Sequence, residues 1–142
     1  MRAAAPTLLS AMTPFPWSVE IDQPLERARE MMREHAIRHL PVVREGKLVG
    51  VIDDRHAELM AGQAGHAGKR PSVASACRLD PYVVDAATPL EEVLREMAAR
   101  RTDAALVTRK GRLAGIFTAS DAFRCFSEFL RTLFPPEGDD AA

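Results

Sequence analysis

Gly115-Ile116-Phe117-Thr118-Ala119-Ser120-Asp121 is the stretch around which this chain is organised. A glycine ends a short apolar strand, and a hydroxyl and a carboxylate follow three residues apart where a helix is predicted to begin. Thr118 suits the N-cap position, and the free N–H groups and macrodipole of a helix start favour a phosphate. Asp121 could accept two hydrogen bonds from ribose hydroxyls. A ligand-free alternative is a capping box between Thr118 and Asp121.

The same pattern occurs 65 residues earlier in the chain, where Gly50 corresponds to Gly115. Pro89-Leu90-Glu91 likewise corresponds to Pro24-Leu25-Glu26, and Met97 to Met32. The offset is the same throughout and needs no gap. The sequence therefore contains an internal repeat.

Each repeat is predicted to form a strand, a helix, two strands and a second helix. In the first repeat, the prolines and aromatic residues of 11–19 favour an extended strand. Apolar residues at helical spacing predict a helix over 25–34, and the glycine-containing turn at 44–47 predicts a hairpin over 37–52. A second helix is predicted from Asp53 through Met60.

The predicted fold class is α/β (α+β), with two tandem β-α-β-β-α repeats packed as one pseudo-two-fold domain. One repeat alone is too small to bury enough apolar surface. The predicted boundaries are 8–61 for repeat 1, 62–72 for a flexible linker, 73–131 for repeat 2 and 132–142 for a mobile C-terminal tail. Two equivalent clefts are expected between the repeats.

Composition and charge place the protein among soluble globular domains. The chain has 142 residues, 46% of them hydrophobic and 27% charged, and a net charge of −1, so neither nucleic acid nor an anionic membrane is an expected partner. Its apolar runs fall far short of a membrane span, and no signal peptide is recognised. Cys77 and Cys125 lack metal-ligand spacing, and reduced, idle thiols in the cytoplasm are expected.

The last predicted helix carries an apolar stripe at helical spacing, formed by Phe123, Phe126, Phe129, Leu130, Leu133 and Phe134. Such a stripe is typical of a helix that faces the core. Because it is aromatic and lies near the chain end, part of it could instead pack against a second subunit.

The chain resembles the paired CBS domain, or Bateman module, from about Ala11 to about Leu130. The first repeat contributes Met-Thr-Pro at 12–14, Ile-Arg-His-Leu-Pro-Val-Val at 37–43 and Gly-Lys-Leu-Val-Gly-Val-Ile at 46–52. The second repeat contributes Gly-Arg-Leu-Ala-Gly-Ile-Phe-Thr-Ala-Ser-Asp at 111–121. Together with the repeat spacing, these motifs carry the resemblance.

The resemblance implies a regulatory module that binds AMP, ADP or ATP, with S-adenosylmethionine and NAD as further ligands and with no required cofactor. It implies that Thr118 contacts phosphate and Asp121 contacts ribose, with Ser120 between them. Adenine contacts are expected at Tyr82, Val83 and Val84, partly through the backbone. Phosphate contacts are expected at Arg38 and His39, for which a solvated strand-end charge and a packed histidine are the respective alternatives. The resemblance also implies a disc-like homodimer and an unknown protein partner.

The first repeat departs from the motif, because Asp53 stands opposite Thr118 and His56 opposite Asp121. A carboxylate at the phosphate position repels an anion, and a histidine cannot accept paired ribose hydrogen bonds. In the second repeat, Asp103 and Ala104 replace the basic Arg38 and His39. One competent site per chain is therefore expected, together with one degenerate site.

Two other functions compete with ligand sensing. Asp53, Asp54 and His56, with His35, His39 and His66 nearby in sequence, could suggest a metal site, but their spacing matches no metal motif, so no metal site is predicted. No catalytic residue is predicted either, because recognisable nucleophile and hydrolase motifs are missing from the sequence. The main alternative is a ligand-free module for dimerisation or partner docking.

Overall fold

The computed structural model describes residues 5–14, 16–64 and 70–138. These residues form a mixed α+β structure of two β-α-β-β-α repeats, which confirms the predicted fold class. The elements in chain order are α1 (Leu8–Ala11), β1 (Thr13–Pro14), β2 (Val19–Glu20), α2 (Leu25–Glu34), β3 (His39–Arg44), β4 (Lys47–Asp53), α3 (Asp54–Ala64), α4 (Val73–Ala76), β5 (Val83–Asp85), α5 (Leu90–Arg100), β6 (Ala104–Arg109), β7 (Arg112–Thr118) and α6 (Ala119–Leu133).

The strands form two sheets, one for each repeat. The first has the order β2-β3-β4 and the second β1-β7-β6-β5. In each repeat a parallel pair, β2 with β3 or β5 with β6, is followed by an antiparallel hairpin. The hairpin turns place Glu45 and Gly46, and likewise Lys110 and Gly111, at positive φ, as a two-residue type I′ turn requires.

The two repeats exchange the segments that precede them, here called the leading segments (residues 7–14 and 72–79). In the first leading segment, Leu8 is buried in the core of the second repeat beside Phe117, and Thr13 pairs with Ile116 of β7. In the second, Val73 is buried in the core of the first repeat, and Arg78 pairs with Val51 of β4 through N–H···O distances of 2.9 and 3.0 Å. Each repeat is completed by the other.

Sequence reasoning missed both helices of the leading segments. It predicted residues 11–19 as one extended strand, whereas the chain has a helical turn ending at Ala11 and only two short strands, β1 and β2. Thr7 begins that turn, and its Oγ accepts a hydrogen bond from the Ser10 N–H at 3.1 Å. A four-residue helix is too short to produce a recognisable apolar period.

Between the sheets lies a third apolar cluster that joins the repeats. Leu106 and Ile116 of the second sheet pack with Val51 and Leu48 of the first. The opposite face of each sheet is covered by that repeat's helices and by the exchanged leading segment. The core is therefore continuous across the pseudo-two-fold axis.

The apolar stripe predicted on the last helix lies on α6 and is here called the α6 stripe. The prediction that it faces the core is wrong. Its six apolar residues are all exposed, from 39% for Leu130 to 73% for Phe123. Only the first two turns of α6 contact the core, where Ala122 and Cys125 pack against the second cluster. Every residue from Phe126 to Leu133 is exposed.

Two predicted boundaries differ from the observed elements. The helix α3 ends at Ala64 and so extends into the predicted linker 62–72, and α6 ends at Leu133, two residues into the predicted tail 132–142. Residues 65–69 and 139–142 lie outside the described part of the chain. Among the helices of the described ranges, none has the length and apolarity that crossing a membrane requires.

Candidate functional site

The predicted helix start at Thr118 is observed. Strand β7 ends at Thr118, which is the N-cap of α6 in an extended conformation with φ −109° and ψ 170°. The first helical residue, Ala119, donates its N–H to the Asp103 carbonyl at 2.8 Å. Ser120 follows in the first turn and is exposed. The helix N-terminus that would face a phosphate is therefore formed where the sequence predicted it.

Asp121 is the one buried charged side chain among the described residues, with 4% of its surface exposed. Its Oδ2 accepts hydrogen bonds from the Thr118 N–H at 2.9 Å and from the Thr118 hydroxyl at 3.2 Å. Its Oδ1 accepts one from the Arg124 guanidinium at 3.0 Å. Since an ionised carboxylate offers about four acceptor positions, three of those at Asp121 are already in use.

Arg124 is the residue of this site that sequence reasoning missed. One of its guanidinium nitrogens, Nη2, bonds both Asp121 Oδ1 and, at 3.3 Å, the carbonyl of Ala11 at the end of α1. The spacing of three residues between Asp121 and Arg124 on a helix was the available signal. The contact with Ala11, 113 residues away, had no signal in the sequence. Arg124 thus joins the predicted ribose carboxylate to the first leading segment.

The residues predicted to contact adenine lie on and just before β5, at the far edge of the second sheet. Val84 is buried in the core, so only its backbone is accessible from a cleft, whereas Val83 is 42% exposed on the opposite face. The Tyr82 carbonyl accepts the Leu106 N–H at 2.8 Å, and its ring lies 4.5 Å beneath the Arg100 guanidinium of α5. Strand β6 separates β5 from β7, so Val83 and Thr118 are about two strand spacings, or roughly 10 Å, apart across the sheet.

The two residues predicted to contact phosphate lie in the first repeat. Arg38 is exposed just before β3, and its carbonyl accepts the Asp54 N–H at 2.9 Å. His39 begins β3, is partly buried and lies opposite Asp53 in the hairpin. Burial lowers the pKa of His39, although Asp53, Asp103 and Asp54 oppose that shift. His39 therefore offers a phosphate an N–H donor at neutral pH rather than a full positive charge.

The lowered pKa predicts that the protein loses stability on mild acidification. The unfolded chain protonates His39 near the ordinary value of 6.5, and the folded protein does so only at lower pH. Below that value the unfolded state binds more protons, so the free energy of unfolding falls as pH decreases through this window. Urea unfolding between about pH 7 and pH 5 should show this slope, and His39→Gln should make it shallower.

An NMR titration of the His39 imidazole provides the direct check. We expect its midpoint below 6.5. A midpoint above that value would mean that the surrounding carboxylates outweigh burial, and the acid slope assigned to His39 would then reverse sign.

The residue that precedes α3, equivalent to Thr118 in the second repeat, is a carboxylate, Asp53. Its Oδ1 accepts the His56 N–H at 2.7 Å. The other oxygen of Asp53 lies 4.0 Å from the Arg78 guanidinium. A carboxylate therefore occupies the N-terminus of α3, where a phosphate would bind in an equivalent site.

The cysteines and the suggested metal ligands form no centre in the described ranges. No group of three histidine, cysteine, aspartate or glutamate residues within 5–14, 16–64 and 70–138 is arranged to hold a metal ion. His66 lies outside those ranges. Cys77 and Cys125 are free thiols, and burial raises the pKa of both. Neither is therefore an activated nucleophile.

The sequence of this chain matches a known domain family and a curated relative. The family model for the CBS domain matches twice, at residues 8–57 and 73–128. A curated zinc metalloprotease from Methanocaldococcus jannaschii is 34% identical over 116 residues, which are 82% of this chain but only 31% of that protein. The chain thus spans about a third of the length of this relative.

Two solved structures share the fold over most of the chain. A putative acetoin utilization protein from Vibrio cholerae superposes with a TM-score of 0.79 and 24% identity, covering 94% of this chain and 99% of the other. CBSX2, solved in complex with AMP, superposes with a TM-score of 0.71 and 27% identity, covering 88% of this chain and 98% of the other.

Proposed function

The chain belongs to the CBS domain family, and on that premise we propose that it is a regulatory module that binds an adenosyl nucleotide at the start of α6. The observation that carries the proposal is the pairing of the Thr118 N-cap with the Asp121 carboxylate at the end of β7. The similarity to CBSX2, a protein solved with AMP, supports the same ligand class. Binding and release, rather than catalysis, constitute the proposed activity.

The predicted residues of the second repeat each have a place in the proposed complex. The ribose hydroxyls bind Asp121, the phosphate lies at the N-terminus of α6 near Thr118 and Ser120, and adenine extends across the end of β6 toward Val83. The span of roughly 10 Å between β7 and β5 suits a nucleoside lying across the sheet. Tyr82 and Val84 contribute backbone groups, because the Tyr82 ring is engaged by Arg100 and the Val84 side chain is buried.

The charges around His39 favour ligands with few phosphates. Asp53, Asp103 and Asp54 raise the pKa of His39 and Arg38 lowers it, so three carboxylates and one guanidinium act on the imidazole. Added negative charge is therefore repelled where a nucleotide tail would approach the first repeat. We expect AMP to bind more tightly than ADP, and ADP more tightly than ATP. The cationic S-adenosylmethionine is favoured over NAD for the same reason.

In the proposed mechanism, Arg124 couples ligand binding to a conformational change. A ribose that takes acceptor positions on Asp121 competes with Arg124, whose other hydrogen bond goes to Ala11 of the first leading segment. The ligand would favour the conformation in which Arg124 has released Asp121, by its differential affinity for that state. Because the leading segments are exchanged, such a change at α1 involves both repeats. An unknown protein partner, or the second chain of a homodimer, would receive the signal.

The alternative function is a ligand-free module for dimerisation or docking. The observation that favours it is the hydrogen bonding of Asp121, which is satisfied and 4% exposed without any nucleotide. In this alternative the capping box is purely structural. A metal-binding module is a weaker third candidate, because the described residues show no suitable ligand group.

Isothermal titration with AMP, ADP, ATP, S-adenosylmethionine and NAD tests the proposal. Asp121→Asn should weaken binding of the best ligand by roughly 10- to 150-fold, because hydrogen bonds to a charged group are worth about 1.5–3 kcal/mol. Asparagine keeps the shape of the side chain, and thermal unfolding should verify that the variant is folded.

His56→Asn is the matched control, because His56 is the third residue of α3 as Asp121 is of α6. It should leave binding unchanged. The absence of binding by every adenosyl ligand would favour the docking alternative. Loss of binding in His56→Asn with retention in Asp121→Asn would place the ligand in the first-repeat cleft.

A further inference from the structure

Tyr82 and Arg100 form a cation–π contact in the second repeat that has a counterpart in the first. The Arg100 guanidinium carbon lies 4.5 Å from the centre of the Tyr82 ring, at the end of α5. In the first repeat, the Trp17 indole stacks on the His35 imidazole just after α2, with ring centroids 3.8 Å apart and planes inclined by 8°. The offset of 65 residues relates Trp17 to Tyr82 and His35 to Arg100.

The two stacks share their place in the repeat and differ in their side chains. An indole and an imidazole form the first, and a phenol and a guanidinium form the second. Trp17 remains 53% exposed, so its stack contributes little to the core. What both stacks do is hold the segment before the first strand of a repeat against the end of the helix that follows that strand.

Arg100 is held over the Tyr82 ring by its own helix. Its Nε donates a hydrogen bond to Glu96 Oε1 at 2.8 Å, one turn earlier in α5. Burial raises the pKa of the Tyr82 hydroxyl, and Glu96 and Glu92 add to that shift while Arg100 opposes it. The phenol is therefore neutral at physiological pH, and its ring face attracts a cation. Because arginine stays charged over the whole of this range, the contact does not depend on pH.

The contact lies where the backbone of the second sheet has few other constraints. Tyr82 packs against the second apolar cluster, and its carbonyl accepts the Leu106 N–H of β6 at 2.8 Å. The strand that follows, β5, has three residues and is the edge strand of its sheet. Segments held by few hydrogen bonds and few buried contacts open most easily. The Arg100 contact therefore adds a constraint at the start of this short strand.

We propose that Arg100 is a positioning residue for base recognition, which acts through Tyr82 and does not touch the ligand. The inference rests on the proposed nucleotide site, whose adenine contacts include backbone groups of Tyr82 and Val84. Arg100 holds these groups in the binding conformation before the ligand arrives. Without it the apparent affinity falls with the fraction of molecules in that conformation. The ribose and phosphate contacts at Thr118 and Asp121 lie beyond β6 and do not depend on this pair.

Calorimetric titration with AMP and NMR titration with ribose 5-phosphate test this role. Arg100→Leu should weaken AMP binding by about three- to tenfold, because the loss is limited by the strength of one cation–π contact. Ribose 5-phosphate lacks the base, so the variant and the wild type should bind it equally well. Arg100→Lys keeps a cation over the ring and should restore most of the AMP affinity. Tyr82→Phe should bind AMP as the wild type does, and Tyr82→Leu should resemble Arg100→Leu.

Two substitutions serve as matched controls. Arg95 lies on the same helix, and its Nη2 pairs with Glu91 at 2.9 Å across one turn. Arg95→Leu removes the same charge and an equivalent ion pair while leaving the Tyr82 contact intact. His35→Leu removes the stack of the first repeat, which the proposed site does not use. Neither control should change the AMP affinity by more than about twofold.

Hydrogen exchange of the Leu106 amide measures the positioning without a ligand. Since this amide is bonded to the Tyr82 carbonyl, Arg100→Leu should speed its exchange, and AMP should slow it again. Unchanged exchange together with weaker AMP binding would mean that Arg100 contacts the ligand itself. The positioning role would then be incorrect.

The outcomes distinguish this inference from the proposed function. If the wild type and Arg100→Leu bind AMP equally well, the positioning role alone is rejected. Equal weakening of AMP and ribose 5-phosphate also rejects it, because the effect is then not specific to the base. A wild type that does not bind AMP rejects the positioning role, and it rejects the proposed function as well if the other adenosyl ligands also fail to bind.

Discussion

Replacing Leu8 by alanine is expected to lower the free energy of unfolding by about 2–5 kcal/mol, the range for a leucine removed from a packed core. Leu8 is 1% exposed and lies in the core of the second repeat, although it precedes the first repeat in sequence. The loss arises from the cavity left beside Phe117 and Val84. Urea unfolding followed by circular dichroism measures it directly.

Leu9→Ala is the matched control, because Leu9 is the next residue of the same helical turn and is 42% exposed. Its substitution should change stability by only about 0.5 kcal/mol. Equal effects of the two substitutions would mean that α1 does not pack into the second repeat. The exchange of leading segments would then be incorrect for this helix.

A methyl group at position 50 is expected to cost about 1–3 kcal/mol, as overpacking does in close-packed regions. A Cβ on Gly50 would overlap the carbonyl oxygen of Arg78 and the sulfur of Cys77. The Arg78 oxygen is backbone and accepts the Val51 N–H at 3.0 Å, so it cannot move without loss of that pairing. Gly50→Ala should therefore lower the midpoint of urea unfolding and loosen the second leading segment.

Substitutions of two other glycines serve as comparisons for Gly50→Ala. A Cβ on Gly115 would lie 2.8 Å from the Thr13 carbonyl oxygen and would also overlap the flexible Met12 side chain, so Gly115→Ala should be destabilising but milder. Gly62 in α3 has no neighbouring atom within 4 Å of a built Cβ, and Gly62→Ala should stabilise the helix by about 0.5–1 kcal/mol. A neutral Gly50→Ala would contradict the close crossing of the leading segment.

The repeat made most of the fold predictable. A constant offset meant that each element predicted in one repeat was supported by its counterpart in the other, as with α2 and α5 or the turns at Gly46 and Gly111. These elements depend on local signals: apolar period, turn residues and helix caps. The short helices α1 and α4 escaped prediction because four residues are too few to show a period.

In the candidate site, too, only the contacts between residues close in sequence were predictable. Thr118 and Asp121 are three residues apart, so their pairing at a helix start follows from helix geometry. Arg124 was missed because one of its two partners is the carbonyl of Ala11, at the other end of the chain. The burial of Val84 and the contact of Tyr82 with Arg100 also depend on the assembled sheet and helices. Because these two side chains are already engaged, only the backbone groups of Tyr82 and Val84 remain for the predicted adenine contacts.

What the amino-acid sequence determined by itself is the repeat, the order of its elements and the helix start at Thr118, because all of these arise from spacing along the chain. Only the tertiary structure decided which repeat each leading segment completes. A sequence offset of 65 is satisfied equally by a segment that folds onto its own repeat and by one that folds onto the other. The fate of the α6 stripe was decided in the same way. Amphipathicity defines an apolar face on a helix, but only Ala122 and Cys125 of α6 pack against the core, and the six side chains of the stripe stay exposed in the single chain.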